Sequence, residues 1–352
     1  MAINLAEKYS KKLATVFAAQ SLVSGRLSMD YDWAGVKTVK VYTPQTVAMV
    51  DYTRSGVNRY GTPQEMQDVV QEMTLTQDKG FSLTIDKGNN ADQMGVKAAG
   101  KMLALQVKEK AIPEMDRYVF DTLAHKAGKI AGSATDLTKN NVCDRVSDGT
   151  VYMDDKEVPQ EGRTLFVTAE VYKLLRLSPE FLGVDALGKK SLSKGQVGEY
   201  DGMPVVKVPS GRWPAGVNFM IVYKNSACAP VKLNETKLHR DPPGISGNLL
   251  EGRQYYDCFV LGAKCDGVYA DVDTTSVTVV AAPTVTAATG ALACTTSGAT
   301  IWYTTDGSDP RYSDSAKAGS TTDVTGAGTV VKAYAVKAGS FPSAVVTATL
   351  TA

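Results

Sequence analysis

The chain has 352 residues, which at roughly 150 residues per domain predicts about two domains. Hydrophobic residues make up 43% of it and charged residues 21%, so there is enough apolar material for a folded core. Its 38 basic and 37 acidic residues leave a net charge of +1, which argues against a dedicated nucleic-acid reader and against a polybasic membrane contact.

The amino-terminal segment, from Met1 to Leu22, is interrupted by charged residues and lacks the pattern of a secretion signal, so we expect the protein to stay in a cytoplasm. No transmembrane helix is expected, because no run approaches about eighteen consecutive apolar residues. The five cysteines are scattered without a CxxC pair, which predicts reduced thiols. Residues 3–22 predict an amphipathic helix, which either docks on a neighbouring surface or is an ordinary terminal helix of its own domain.

Two alternating segments, residues 36–42 and 73–85, predict extended strands with one apolar face. The residues between them include few large apolar side chains, namely Val47, Met49, Val50 and Val57. A loop of this length in a compact domain usually has a role outside that domain. We predict a projecting two-stranded arm that rests on another subunit, with a poorly ordered surface loop as the alternative.

The strongest helical signal runs from Asp92 to about Ala127, with apolar residues at helical spacing on one face. Asn90 is the predicted N-cap, Gly128 the predicted stop, and Pro113 is expected to bend or split the helix. At 1.5 Å per residue the helix measures ~52 Å, longer than a compact domain of this size needs. We therefore predict a spine rather than one member of a bundle.

The segment after the spine predicts a mixture of strands and helices, and hence an α+β body. A buried strand at 163–167 is followed by a helix over 169–177 that Thr168 caps. Further strands are predicted at 203–208, 219–223 and 256–261.

The composition changes near residue 272. From Asp273 to Ala352 there is no Glu and there are only four basic residues, while Thr, Val, Ala and Gly dominate. Such a tail predicts a separate all-β module with a sandwich arrangement, joined by a linker that begins at residues 273–276. Strands are predicted at 300–304, 330–336 and 343–350.

Residues with catalytic or ligand chemistry are few. His125 and His239 lack metal-ligand spacing to another His or Cys, so a zinc site is not expected. The pair Asp154 and Asp155 offers carboxylates without a visible cleft, and Asp306 to Asp309 is better explained as a turn than as a calcium loop. We expect no catalytic residue, no cofactor and no metal.

Two segments, residues 74–86 (TLTQDKGFSLTID) with the long helix that follows, and residues 255–269 (YYDCFVLGAKCDGVY), carry a resemblance to a known family. The first is similar to the descending arm and spine of tailed-phage major capsid proteins, and the second to their closing strand. The resemblance is to the Hong Kong 97-like fold. It implies an N-terminal arm (1–35), an E-loop (36–86), a peripheral domain (87–160 and 240–272) and an axial domain (160–240).

The resemblance also implies a function. Such proteins self-assemble into hexamers and pentamers of an icosahedral shell around double-stranded DNA, without sequence specificity and without a membrane. The implied partners are other copies of the chain, a separate scaffolding protein, a portal and decoration proteins, and the implied location is the virion. The pattern of covalent Lys–Asn crosslinks known in some members is not matched by Lys79 or Lys87, so we expect no crosslinks.

The tail resembles a second family. Residues 299–310 (ATIWYTTDGSDP) and 331–339 (VKAYAVKAG) are similar to the immunoglobulin-like C-terminal domain of chitobiase. This implies a linker at 273–282 and a surface domain at 283–352. It leaves an alternative function open, a carbohydrate-active enzyme or glycan-binding surface protein, with Trp302 and Tyr303 as candidate glycan contacts.

Overall fold

The computed structural model describes residues 21–28, 31, 33, 37–44, 46, 49–63, 65, 68–92, 98–178, 196–323 and 326–351. Most of the predicted amino-terminal helix, residues 3–20, lies outside the described residues. No helix in the described part is both long and apolar enough to cross a membrane.

Among the described residues up to 273, strands and helices alternate irregularly. The strands are β1 (Thr38–Pro44), β2 (Asp68–Thr74), β3 (Gln77–Asp86), β4 (Lys129–Ser133), β5 (Arg163–Thr168), β6 (Gln196–Tyr200), β7 (Met203–Val208), β8 (Val217–Tyr223), β9 (Ala227–Cys228), β10 (Val231–Arg240), β11 (Gly247–Tyr256), β12 (Phe259–Val260) and β13 (Val268–Asp273). The α-helices are α1 (Lys87–Asp92), α2 (Ala99–Gln106), α3 (Ile112–His125), α4 (Val142–Asp155) and α5 (Ala169–Leu177). A π-helical segment lies at Val107–Ala111, and 3₁₀ turns lie at Ser210–Arg212, Lys224–Ser226 and Gly262–Gly267.

A six-stranded mixed sheet, in the order β4-β13-β8-β5-β7-β6, forms the centre of the body. Its inner strands are apolar on both faces, as expected for a sheet covered on both sides. Met220 and Val222 of β8 pack in the same core as α3, while Phe219 and Ile221 pack with α4 and α5. The predicted strand and helix after residue 162 are confirmed, and Thr168 caps the helix, since its Oγ1 accepts a hydrogen bond from the Val171 amide at 3.3 Å.

The spine runs without interruption from α2 through the π-helical segment into α3, over residues 99–125, a length of about 40 Å. Pro113 does not split it. The π-helical segment lies just before the proline, and its last hydrogen bond runs from the Ile112 amide to the Val107 carbonyl, which widens the turn where a proline ring would otherwise clash. Asn90 is not the N-cap of the spine, because it lies inside the separate helix α1.

Gly128 does not terminate the spine either. Helix α3 ends at His125, and Gly128 has no left-handed backbone. Its amide instead donates to the Cys265 carbonyl at 3.1 Å, and a Cβ atom at this position would lie 2.3 Å from that same oxygen. The glycine is required for this close backbone approach.

Gly128→Ala is expected to lower the free energy of unfolding by about 1–3 kcal/mol, because backbone atoms of Cys265 and Asp266 would have to move. The matched control is Gly100→Ala in α2, where a Cβ meets no atom within 4 Å and the better helix former should stabilise the protein slightly. Urea unfolding of the two variants checks this. Equal free energies of unfolding for the two variants would show that the close approach of Gly128 to the Cys265 backbone does not require a glycine.

The arm strands pair differently from the prediction. β1 and β2 form an antiparallel hairpin, with Thr38 opposite Thr74 and Pro44 opposite Asp68. Residues 77–86 do not return along this hairpin, because β3 joins a second sheet of order β10-β11-β3. The change of sheet is fixed at Thr76, whose amide and hydroxyl both donate to Asp257 at 2.7 and 2.8 Å.

Strand pairing crosses the boundaries of the expected units of the body. β4 and β13, which were expected in the peripheral unit, pair in the sheet that contains residues 163–223. β10, which was expected in the axial unit, pairs with β11. The expected strand at 256–261 is interrupted, because β11 ends at Tyr256 and β12 covers only residues 259–260. Strand pairing is a long-range property that local alternation does not determine.

The carboxyl-terminal domain is all-β. Its strands are β14 (Thr284–Val285), β15 (Leu292–Ala293), β16 (Thr300–Thr304), β17 (Lys317–Ala318), β18 (Val330–Val336) and β19 (Val346–Thr349). Its own core includes Val280, Ile301 and Val331. The strands at 300–304 and 330–336 are confirmed, and the last strand is shorter than predicted. Since Val280 is buried in this core, the domain begins inside the expected linker.

Candidate functional site

The hairpin of β1 and β2 is anchored at its root. Met73 and Leu75 are fully buried in a cluster with Trp33 and Phe259, whose rings stack 5.3 Å apart. The hydroxyls of Thr38 and Thr74 hydrogen-bond across the two strands at 2.7 Å. An isolated two-stranded hairpin is marginally stable in water, so this packing fixes the hairpin on its own subunit.

The tip of the hairpin, residues 49–63, has exposed apolar side chains. Met49 is 100% exposed, Val57 91% and Tyr60 85%. The tip keeps its shape through local contacts: the Thr53 amide donates to the Arg59 carbonyl at 3.1 Å, and the rings of Tyr52 and Tyr60 meet edge to face at 4.9 Å. Large apolar side chains exposed within one short segment are a feature of interaction surfaces.

The carboxyl-terminal domain packs on the end of the spine. The ring of Phe341 stacks on His125 with centroids 4.2 Å apart. Tyr312 is buried in the same core as α3, and its hydroxyl donates to the Lys126 carbonyl at 2.6 Å. Arg311 donates from Nη1 to the carbonyls of Ala127 and Gly128, each at 2.9 Å, so a cation satisfies backbone acceptors just past the helix end.

The charge of Arg311 is compensated within the same loop. Asp309 accepts from its Nε at 3.0 Å and from its Nη2 at 2.7 Å. Burial lowers the pKa of Arg311, but hydrogen bonding to Asp309 and nearby negative charge outweigh it, so the net shift is upward. Sequence reasoning missed this contact, because the Arg311 partners lie more than 180 residues earlier in the chain.

A cavity of about 510 Å³ lies where the hairpin strands, the end of the spine and the carboxyl-terminal domain meet. Its two carboxylates are engaged: Asp266 accepts from Tyr152 at 2.5 Å and Asp309 holds Arg311. Burial raises the pKa of the Cys265 thiol to about 12, so this thiol is protonated at neutral pH. Among the described residues, no group of three or more His, Cys, Asp and Glu side chains could hold a metal ion.

The structure does not gather the residues that sequence analysis considered for chemistry. His239 contacts Glu251 at 3.1 Å in the sheet β10-β11-β3, whereas His125 lies at the end of α3 against Phe341. Asp154 pairs with the buried Arg163 at 2.6 Å, which gives it a structural role. Asp306 accepts from the amide and hydroxyl of Ser308, as expected for a turn.

The two candidate glycan contacts lie next to each other in β16. Tyr303 is only 4% exposed and packs in the core of the domain, with its hydroxyl donating to Asp323 at 3.3 Å. Trp302 is half-buried. A glycan contact by this pair stays a prediction, and Trp302 is the one of the two rings with exposed area.

Comparison with known proteins agrees with this division of the chain. Residues 278–347 match the family model of the chitobiase/beta-hexosaminidase C-terminal domain. No curated protein matches the sequence.

Solved structures resemble the larger part of the chain. A chain of Mycobacterium phage Che8 superposes with a TM-score of 0.62 at 16% identity, covering 77% of this chain and 98% of that one. The bacteriophage PhiM1 mature capsid gives 0.59 at 14% identity, with 77% and 92% covered. The capsid of cyanophage P-SCSP1u gives 0.59 at 10% identity, with 77% and 93% covered. The chain therefore has the α+β fold of phage capsid structures, as the Hong Kong 97-like resemblance implied, followed by an immunoglobulin-like domain of the chitobiase C-terminal type.

Proposed function

We propose that this protein is the major structural subunit of a bacteriophage head. Its copies associate into hexamers and pentamers that close into an icosahedral shell around double-stranded DNA. The subunit is a building block and not an enzyme, and it resides in the virion after assembly in the host cytoplasm. The observation that supports this most is the exposed apolar tip on an anchored hairpin, in a chain with the fold of capsid structures.

The proposal assigns each sheet and helix group to a domain of a capsid subunit. The spine with the sheet β10-β11-β3 is the peripheral domain, the six-stranded sheet with α4 and α5 is the axial domain, and the hairpin is the E-loop. The carboxyl-terminal domain faces the outside of the shell. A separate scaffolding protein, a portal and decoration proteins complete the particle, and the near-neutral chain contacts DNA without sequence specificity.

The physical basis is burial of the tip against a neighbouring copy. Burying one valine contributes about 1.5–3 kcal/mol, and every copy in a closed shell makes the same contact. Replacing Val57 by a residue with a carboxylate would remove this burial free energy and would also place a charge in an apolar contact. A single change at the tip therefore acts on every interface of the same type.

Val57→Asp is expected to reduce the yield of shells by at least about ten-fold, because 1.4 kcal/mol per contact already corresponds to that factor. The variant should keep the unfolding transition of the natural chain, since the Val57 side chain is exposed in the single subunit. The full chain is co-expressed with the phage scaffolding protein, and shells are counted by sedimentation and negative-stain microscopy.

The matched control is Val330→Asp, the same change at an exposed valine of the carboxyl-terminal domain, which should assemble normally. Normal shell formation by Val57→Asp would contradict the role of the tip. A strictly monomeric natural chain, even with scaffold present, would overturn the proposed function. The alternative, a carbohydrate-active enzyme or glycan-binding surface protein, has support only from the carboxyl-terminal match.

A further inference from the structure

One loop of the carboxyl-terminal domain, residues 309–314, touches two parts of the body that lie far apart in the chain. At one end, Arg311 and Tyr312 bind the backbone carbonyls of residues 126–128, just past the end of α3. At the other end, the Asp314 amide donates to the Val70 carbonyl at 3.2 Å. Asp314 Oδ1 also accepts from the Glu72 amide at 3.1 Å.

These contacts fall on strand β2, the return strand of the hairpin. Among the described residues β2 has one strand partner, β1, so Asp314 binds backbone groups on the outer edge of a two-stranded ribbon. Such edge groups otherwise depend on water or on another chain. The loop therefore supplies part of what a third strand would give the hairpin.

Gln71, between these two contacts, fastens the same strand to the body. Its Nε2 donates to the Val260 carbonyl at 2.8 Å, and its Oε1 accepts from the Gly262 amide at 2.8 Å. Gly262 in turn lies against Tyr312, since a Cβ atom at this glycine would stand 2.8 Å from the Tyr312 Cβ. Strand β2, the loop at 260–262 and the carboxyl-terminal domain thus meet at one junction.

We propose that the carboxyl-terminal domain is a clamp that fixes strand β2 of the hairpin relative to the end of the spine. Arg311 and Tyr312 hold the domain on the spine, and Asp314 holds the hairpin edge. The clamp sets the direction in which the exposed tip projects. The clamp is a property of the single subunit, so it does not depend on the proposed shell function. Only the use of a fixed tip direction in assembly depends on that function.

Asp314→Ala and Arg311→Ala in the full, unassembled chain test the clamp by amide hydrogen exchange. We expect exchange in residues 38–44 and 68–74 to accelerate by at least about ten-fold in both variants, while β8 at the centre of the body keeps its protection. The matched control is Lys317→Ala, which removes an exposed ion pair with Asp323 in the same domain and should leave the hairpin unchanged.

If residues 68–74 exchange as slowly in both variants as in the unsubstituted chain, the proposal is wrong. If Arg311→Ala also opens the carboxyl-terminal domain, seen as exchange in residues 330–336, the hairpin remains the deciding segment. Faster exchange there with β8 intact supports the clamp, and unchanged exchange there refutes it. Because the measurement uses single subunits, failure of the clamp and failure to form shells are distinguishable.

Discussion

Replacing Asp116 by alanine is expected to lower the free energy of unfolding by about 3–5 kcal/mol, as is typical when one partner of a buried ion pair is removed. Asp116 lies in α3 and is 0% exposed. It accepts hydrogen bonds from Ser21 Oγ at 2.8 Å and the Leu22 amide at 3.0 Å, and it pairs with Arg212 at 2.9 Å. The substitution removes the acceptor that joins two other segments, residues 21–22 and the turn of Arg212, to the spine.

Asp121→Ala is the matched control for Asp116. It is the same change in the same helix, but its side chain is 58% exposed and contacts His125 only weakly, so we expect a change within about 0.5 kcal/mol. Urea unfolding followed by circular dichroism measures both variants. A loss at Asp116 no larger than that at Asp121 would show that this junction does not hold the spine.

Local signals were sufficient where the structure depends on neighbours in the chain. The strand before Thr168 and the helix after it were predicted to within a residue, because an apolar run, a capping hydroxyl and the following Ser178 all lie within sixteen residues. The apolar spacing of Val119 and Leu123 likewise placed the buried face of the spine, and both are fully buried.

Partner choice between strands was not predictable in the same way. Residues 38–44 and 77–86 both alternate, yet one belongs to the hairpin and the other to the sheet of β11. Alternation reports that a strand has one apolar face, and says nothing of which strand lies beside it. β10 was missed altogether, because its polar residues between 234 and 240 are exposed on both faces.

The same contrast between local and long-range signals applies to the candidate functional site. The arm was predicted from the length of the segment and its few large apolar side chains, and the structure shows that three of these, Met49, Val50 and Val57, are exposed. The docking of the carboxyl-terminal domain was not, since Arg311 was one of four basic residues in a tail otherwise poor in charge. The role of Arg311 depends on backbone carbonyl groups just past the end of α3, in another domain.

Arg145→Ala is expected to cost about 3–5 kcal/mol near neutral pH, because Arg145 is the charge partner of the buried Asp271. The guanidinium in α4 donates to Asp271 of β13 from Nε at 3.0 Å and from Nη2 at 2.5 Å, and Asn218 adds a third bond at 2.7 Å. Burial nevertheless raises the pKa of Asp271, with Asp148 on the same helix contributing. Without Arg145 the pKa of Asp271 should rise further.

The upward shift of the Asp271 pKa determines how the effect of Arg145→Ala on stability depends on pH. When the folded state raises the pKa of a carboxyl group, the stability that its neutral form contributes is present at low pH and is lost as pH rises through the folded-state pKa. The penalty of Arg145→Ala should therefore be smaller at about pH 4 than at about pH 7 in urea unfolding. Arg117→Ala, at an arginine 59% exposed and paired with Glu114, is the matched control and should show a small loss at both values. A penalty for Arg145→Ala that stays constant with pH, or that equals the control, would mean that Asp271 carries no buried charge in the folded protein.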